Sequence, residues 1–391
     1  MTPTLNKYLS RNPLRHDFEP SAPGRLYRAA VVIPAAGEAD FLPATLASLT
    51  ANPPEFRSDT LILAVVNQSA DATPERRLDN AHTLTRFRDG SMPGRDRLNL
   101  YWLDATAPGR ELRHGVGDAR KTGMDAVLPF LDWNRDPLIL CLDADTVTEP
   151  DYLAAVWTAL AAEPMVPGGV LRFLHQPGDT PETEQAIREY ETYMQDYVDK
   201  LAAAGSPYAY HAMGSAMVCR AEAYLRSGGM KPRNAGEDFY FLQSLRKLGP
   251  IIAIDGSTVH PSARPSDRVP FGTGATIRKI LSGNSQSLHH DDIFAILKTI
   301  YDTVNTADTE QLQALPALLS EVLPVAGRAF LDANDFTASW QKIVANTPAT
   351  KKHLHMAFHT WFDAFRTLKF VHYCEENHPD RFPRQGKEYT R

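Results

Sequence analysis

The sequence predicts an α/β protein: a mostly parallel sheet with helices on both faces, followed by a helical C-terminal region. Three observations predict it. Short apolar, β-branched runs alternate with helix-periodic stretches as far as about residue 260, the order that builds a parallel sheet. Hydrophobic residues make up 43% of the 391, enough to fill a sizeable core without disulfides or metals. Beyond about residue 285 the spacing turns helical throughout, as in "DDIFAILKTIYDTV" and "HLHMAFHTWFDAFRTLKFVHYCEEN".

The elements follow in order. Ala29 to Ile33 is a short apolar strand stopped by Pro34, and Phe41, Leu42, Thr45, Leu46 and Leu49 then recur at helical spacing. Leu61 to Val66 repeats the scheme. "LNLYWL", residues 98 to 103, makes a third strand, Val116 to Leu131 a helix and Leu138 to Leu142 a fourth strand. A helix over 150–162 and a strand in "VPGGVLRFL" come next, then a long helix from Glu182 to Ala204, whose tyrosine stripe suits core packing. Ile251 to Ile254 reads as a further strand, with His260 in a polar loop behind it. These patterns divide the chain into an N-terminal extension over 1–27, an α/β domain over 28–284 and a helical region over 285–391.

Composition excludes several partners and places. The net charge is −6 and no long Lys or Arg run tracks a phosphate backbone, which argues against nucleic acid. The three cysteines are widely spaced in apolar surroundings, as buried thiols in a reducing compartment would be. No apolar run reaches the roughly 20 residues that span a bilayer, and the N-terminus lacks a signal-like apolar stretch. The expectation is a cytosolic protein. The aromatic face around Phe358, Trp361, Phe362 and Phe365 suits either core packing or a peripheral membrane contact.

The chemistry-bearing stretches sit at strand ends and helix starts, where open α/β sheets bind ligands. In "LILCLDADT", Asp143 and Asp145 leave a strand two residues apart. On an extended backbone both would point the same way and could meet one divalent cation; either could equally cap the helix starting near Pro150. "VVIPAAGEADF" places Glu38 between strand and helix, and "VVNQSADAT" ends a strand in Asn67. "HGVGDARKTG" brings Arg120 to a helix start, where cation and helix dipole favour a diphosphate. In "GEDFYFLQSLRKLG", Glu237 and Asp238 open an amphipathic helix, where an N-cap and first-turn acidic pair would sit. The loop behind His260 carries Arg264 and Arg268, a composition that suits either a lid or a tether with surface arginines.

Taken in order, "VVIPAAGEADFLPATLASL", "LDADT", "GVGDARKTG" and "GEDFYFLQSLRKLG" make the chain similar to family 2 glycosyltransferases, over roughly residues 28 to 260. That resemblance implies a GT-A fold, Rossmann-like, and a soluble, non-processive, metal-dependent hexosyltransferase that inverts the anomeric centre. The membrane helices and the Q-x-x-R-W motif of processive members are missing, and Asn67 and Lys121 stand where the family commonly carries Asp and Asn. The resemblance implies Asp145 and Asp143, with His260, as ligands of Mn²⁺ or Mg²⁺. It implies Pro34, Ala35, Glu38, Asn67, Arg120, Asp143, Arg264 and Arg268 as contacts of the nucleotide-diphosphate sugar donor. Asp238, seconded by Glu237, would be the base for an acceptor that is a glycan, a lipid-linked sugar or a small molecule. A retaining transferase and a degenerate nucleotide-binding module are the alternatives.

Overall fold

The computed structural model describes residues 2–233, 235–266 and 272–384. It divides into two compact units, residues 1–187 with 212–282 and residues 188–211 with 283–391. The division falls inside the long helix Pro181–Ala203, whereas the sequence patterns place the change at 284/285.

The first unit is built on a nine-stranded sheet, in order β1-β4-β3-β2-β5-β8-β7-β9-β6. The strands are β1 (Phe18–Glu19), β2 (Ala29–Ala35), β3 (Thr60–Asn67), β4 (Asn99–Ala105), β5 (Leu138–Cys141), β6 (Val147–Thr148), β7 (Gly168–Phe173), β8 (Met217–Arg220) and β9 (Ile251–His260). The expected alternation of strand and helix gives the parallel run β4-β3-β2-β5. β2 and β3 are buried along their whole length, as strands covered on both faces must be. Beyond β5 the sheet is mixed, because β8 runs antiparallel to both β5 and β7 while β9 pairs parallel with β7.

Register places the functional end. Ala35 pairs with Val66, Asn67 with Ala105, and Val32 with Cys141, so β2, β3, β4 and β5 finish along one edge. The antiparallel β8 starts where β5 finishes, which brings the loop ahead of Met217 to that same edge. Helix Gly115–Val127 can lie close against β2 and β3 because a side chain on Gly123 would overlap Val32 and Val65. Its N-terminal half, carrying Arg120, is thereby held near the strand ends.

Three readings of the sequence change. The strand at Ile251 extends to ten residues and ends in His260, which pairs with Val147 of β6 and is not in a loop. Helix Gly115–Val127 gives way to a 3₁₀ turn over Leu128–Phe130, where Pro129 removes a donor. Helix Tyr152–Ala162 starts after Asp151, without a side-chain cap from either Asp143 or Asp145.

The second unit is helical, and its apolar cluster includes Leu201, Leu297, Tyr301, Trp340, Phe358 and Phe370. Residues 188–211 belong here because Leu201 and Ala204 pack into that cluster. Phe358, Trp361 and Phe362 are buried and Phe365 is partly exposed, so most of the aromatic face is core. Cys141, Cys219 and Cys374 are buried free thiols. Among the described residues no helix is long and apolar enough to cross a membrane.

Candidate active site

The D-x-D segment follows β5. Leu142 N–H continues the ladder to Val32 O at 3.1 Å, and Thr146 N–H then bonds Asp143 O at 3.1 Å, closing a turn. An extended backbone would have sent both carboxylates the same way; the turn separates them. Asp143 accepts from Arg120 and Asp145 from Arg264, the latter at 2.9 Å.

Arg120 is the centre of the first half. It is 3% exposed and donates through Nη1 to Glu237 and through Nη2 to Asp143. Burial by itself would lower its pKa, but the charges of Asp143 and Glu237 outweigh that and hold the guanidinium firmly protonated. The D-x-D turn and the E-D helix start thus meet on one buried cation. Gly214, in the loop ahead of β8, lies so near that a Cβ there would overlap the Arg120 guanidinium. Gly117, one turn before Arg120, likewise leaves no room for a side chain against the backbone of Arg233.

Glu237 and Asp238 open helix Glu237–Arg246, whose N-cap Gly236 has a positive φ of 71° and offers no side-chain cap. Asp238 Oδ1 accepts from Phe239 N–H at 2.7 Å. Loss of solvent, and then the charge of Glu237, push the Asp238 carboxyl up to about 7, against the pull of Arg120. Asp238 changes protonation around neutrality, the range that suits a general base.

Arg264 is the centre of the second half. Its Nη2 lies 2.7 and 2.6 Å from the two oxygens of Glu38 and 2.9 Å from Asp145 Oδ2, and its guanidinium rests 3.8 Å above the ring of Phe41. Glu38 is 4% exposed. Its carbonyl accepts from Phe41 and Leu42 N–H, which ties it to the start of helix Leu42–Leu49.

The His260 ring nitrogens bond groups other than the aspartates. Nδ1 bonds Leu174 O, just past β7, and Nε2 bonds Glu149 Oε1, just past β6, each at 2.8 Å, so both ring nitrogens have partners. Among the described residues no three His, Cys, Asp or Glu side chains form a group that could hold a metal ion. A divalent ion held by one or two carboxylates plus substrate phosphates needs no such group. Asp145 and Glu38, which share the Arg264 guanidinium, supply hard oxygen donors of that kind, so the residues fit.

Pro34 and Ala35 finish β2 and Asn67 finishes β3. Asn67 is 3% exposed, and its Oδ1 is buried with no hydrogen-bond partner among the described residues. Arg268 lies outside the described residues.

Sequence reasoning missed the side chains that hold these loops. Asn80 accepts from Gly37 N–H at 2.9 Å and donates to Asn67 O at 3.0 Å, joining the ends of β2 and β3. Thr45 Oγ1 donates to Ala144 O at 2.8 Å, inside the D-x-D turn. Gln176 Nε2 bridges Asp145 O at 2.9 Å and His260 O at 2.7 Å. Only a polar residue on a buried helix face signals any of these, and that clue holds for Thr45 and Asn80 but not for Gln176.

The chain matches no protein-family model and no curated protein. Among solved structures, a TarS fragment 1–349 from S. aureus in complex with UDP-GlcNAc is similar at 12% identity, covering 81% of this chain and 90% of that one with a TM-score of 0.45. The mannosyltransferase PcManGT from Pyrobaculum calidifontis, in complex with GDP-Man and Mn²⁺, is similar at 14% identity, covering 92% and 95% with a TM-score of 0.41. At these levels the likeness assigns neither activity nor ligand to this chain.

Proposed function

We propose that the first unit, residues 1–187 with 212–282, is a glycosyltransferase of GT-A type that moves a hexose from a nucleoside-diphosphate donor to an acceptor hydroxyl with inversion. The observation that carries this reading is the buried Arg120, on which Asp143 of the D-x-D turn and Glu237 of the E-D helix converge beside Asp238. The elements that bear these groups are far apart in sequence and share one sheet edge, where open α/β sheets bind ligands.

Asp238 acts as the base. Its carboxylate takes the acceptor hydroxyl proton as the acceptor oxygen bonds to the anomeric carbon, and the bond from that carbon to the diphosphate breaks on the opposite face. The nucleoside diphosphate leaves with the electron pair. Arg120 fixes the carboxylates of Glu237 and Asp143 and keeps positive charge near the leaving group. Asp145 with Asp143 or Glu38 would hold Mn²⁺ or Mg²⁺, which offsets charge on the departing diphosphate when bound. Pro34, Ala35 and Asn67 at the ends of β2 and β3 would contact the nucleoside, and the unpartnered Asn67 Oδ1 suits a ribose or base donor group. Arg264 and Arg268 would contact the donor diphosphate.

Product stereochemistry tests the role of Asp238. With an α-linked nucleotide sugar, the anomeric proton signal of fresh product is expected to report a β linkage. An α linkage would reassign Asp238 to orienting the acceptor and make the enzyme a retaining one.

A further inference from the structure

We propose that Arg264 is a built-in counter-ion that competes with the divalent cation for Asp145, and that Glu38 is the second carboxylate of that cation site. The inference rests on the transferase reading for the identity of the cation, and on the geometry of Arg264 for the rest.

Guanidinium groups ordinarily meet carboxylates through the fork, with two nitrogens aligned on two oxygens. Arg264 does otherwise: one nitrogen, with two hydrogens to give, stands within 2.9 Å of three oxygens from two side chains. That nitrogen occupies its oxygen cradle as a point charge does. Hard divalent ions choose oxygen surroundings of this kind, at shorter distances. The two carboxylates have little room to leave. Glu38 is almost fully buried, with its carbonyl in the first turn of helix Leu42–Leu49, and Gln176 pins the backbone of Asp145. The arginine, in contrast, comes from coil outside any helix or strand, and its guanidinium stacks on the partly exposed Phe41.

Two cations cannot share the cradle without strong repulsion, so the ion enters as Arg264 withdraws. A donor diphosphate offers the released guanidinium a new anionic partner. Metal and nucleotide therefore favour each other's binding, and by linkage each raises the other's affinity equally.

The test is a Mn²⁺ titration of the full chain, followed by electron paramagnetic resonance of the free ion, with and without UDP or GDP. Arg264→Gln is expected to tighten Mn²⁺ binding at least tenfold without nucleotide, and Arg264→Lys to remain like the wild type because the charge stays. Adding Glu38→Gln to Arg264→Gln is expected to reverse the gain. Circular dichroism confirms that each variant folds. If Arg264→Gln binds Mn²⁺ no better than the wild type, the competition is wrong, even where a nucleotide binds and the transferase reading stands. Tight Mn²⁺ binding by Arg264→Gln with no nucleotide bound by any variant supports the competition and counts against the transferase reading. A gain that survives Glu38→Gln removes Glu38 from the site.

Discussion

Replacing Asp238 with asparagine is expected to lower kcat by about 10²- to 10⁴-fold, the usual contribution of a positioned base, while nucleotide binding persists. The two side chains are nearly the same shape, so the loss falls on proton transfer. In the wild type the base is active only when ionised. With the carboxyl pushed up to about 7, kcat/KM should fall about tenfold per pH unit below that value. The residual rate of the variant should lack this acid limb.

Stability should move the opposite way. A carboxyl raised from 3.8 to about 7 on folding binds more protons in the native state than in the unfolded state between those values. The unfolding free energy therefore falls as pH rises through that window. At low pH both states are protonated and no penalty exists; above about 7 the penalty is complete. Asp238→Asn carries no such charge, so its Tm should overtake that of the wild type as pH rises from about 4 to about 7, and the gap should then stay level. A variant that is both less active and more stable at neutral pH is what a residue kept for chemistry predicts. Equal Tm profiles would show that the carboxyl is not perturbed.

The second large effect concerns Arg120. Replacing it with methionine is expected to cost about 3–5 kcal/mol of stability, because Glu237 is left buried and unpaired. Urea unfolding checks this through the midpoint at constant slope. Adding Glu237→Gln to the methionine variant should recover part of the loss, since the uncompensated charge is then gone. Activity should not return, because the guanidinium no longer joins Asp143 to the E-D helix. Gly214→Ala gives the same test without removing a charge: its Cβ overlaps the guanidinium, so kcat is expected to drop while the fold persists. Full activity in Gly214→Ala would mean that Arg120 tolerates displacement and is not the organising group of the site.

Much of this arrangement can be read in the sequence, and what cannot has definite physical causes. The apolar runs of β2, β3 and β5 are fully buried parallel strands, so their composition announces them. The two-residue β1 and β6 are too short to show a period, and β8 is marked only by the four residues "MVCR". β9 reads as shorter than it is because Asp255, Gly256 and Ser257 interrupt its apolar pattern. Single motifs point to Asp143, Asp145, Glu237 and Asp238, since carboxylates at strand ends and helix starts are visible locally. That one arginine binds Asp143 and Glu237, and another binds Glu38 and Asp145, is a property of the folded sheet edge. The turn at Thr146, which sends the two aspartates to different partners, follows from a backbone hydrogen bond that no pattern encodes. His260 reads as a loop residue because the interruption at Asp255 to Ser257 ends the apparent strand at Ile254, whereas pairing with Val147 keeps it in β9 with Nε2 on Glu149.

The most direct test of the transferase reading is a thermal-shift screen of UDP, GDP, CDP and dTDP, with and without Mn²⁺, on the wild type and on Asp145→Ala. A ligand at about 100 times its Kd adds about 2.7 kcal/mol to the stability of the state that binds it. The expected result is stabilisation by one nucleotide that needs Mn²⁺ and is lost in Asp145→Ala, which would also name the donor base. Absence of any nucleotide-dependent shift, with Mn²⁺ present and the protein folded, would contradict the assignment of this sheet edge as a nucleotide-sugar site.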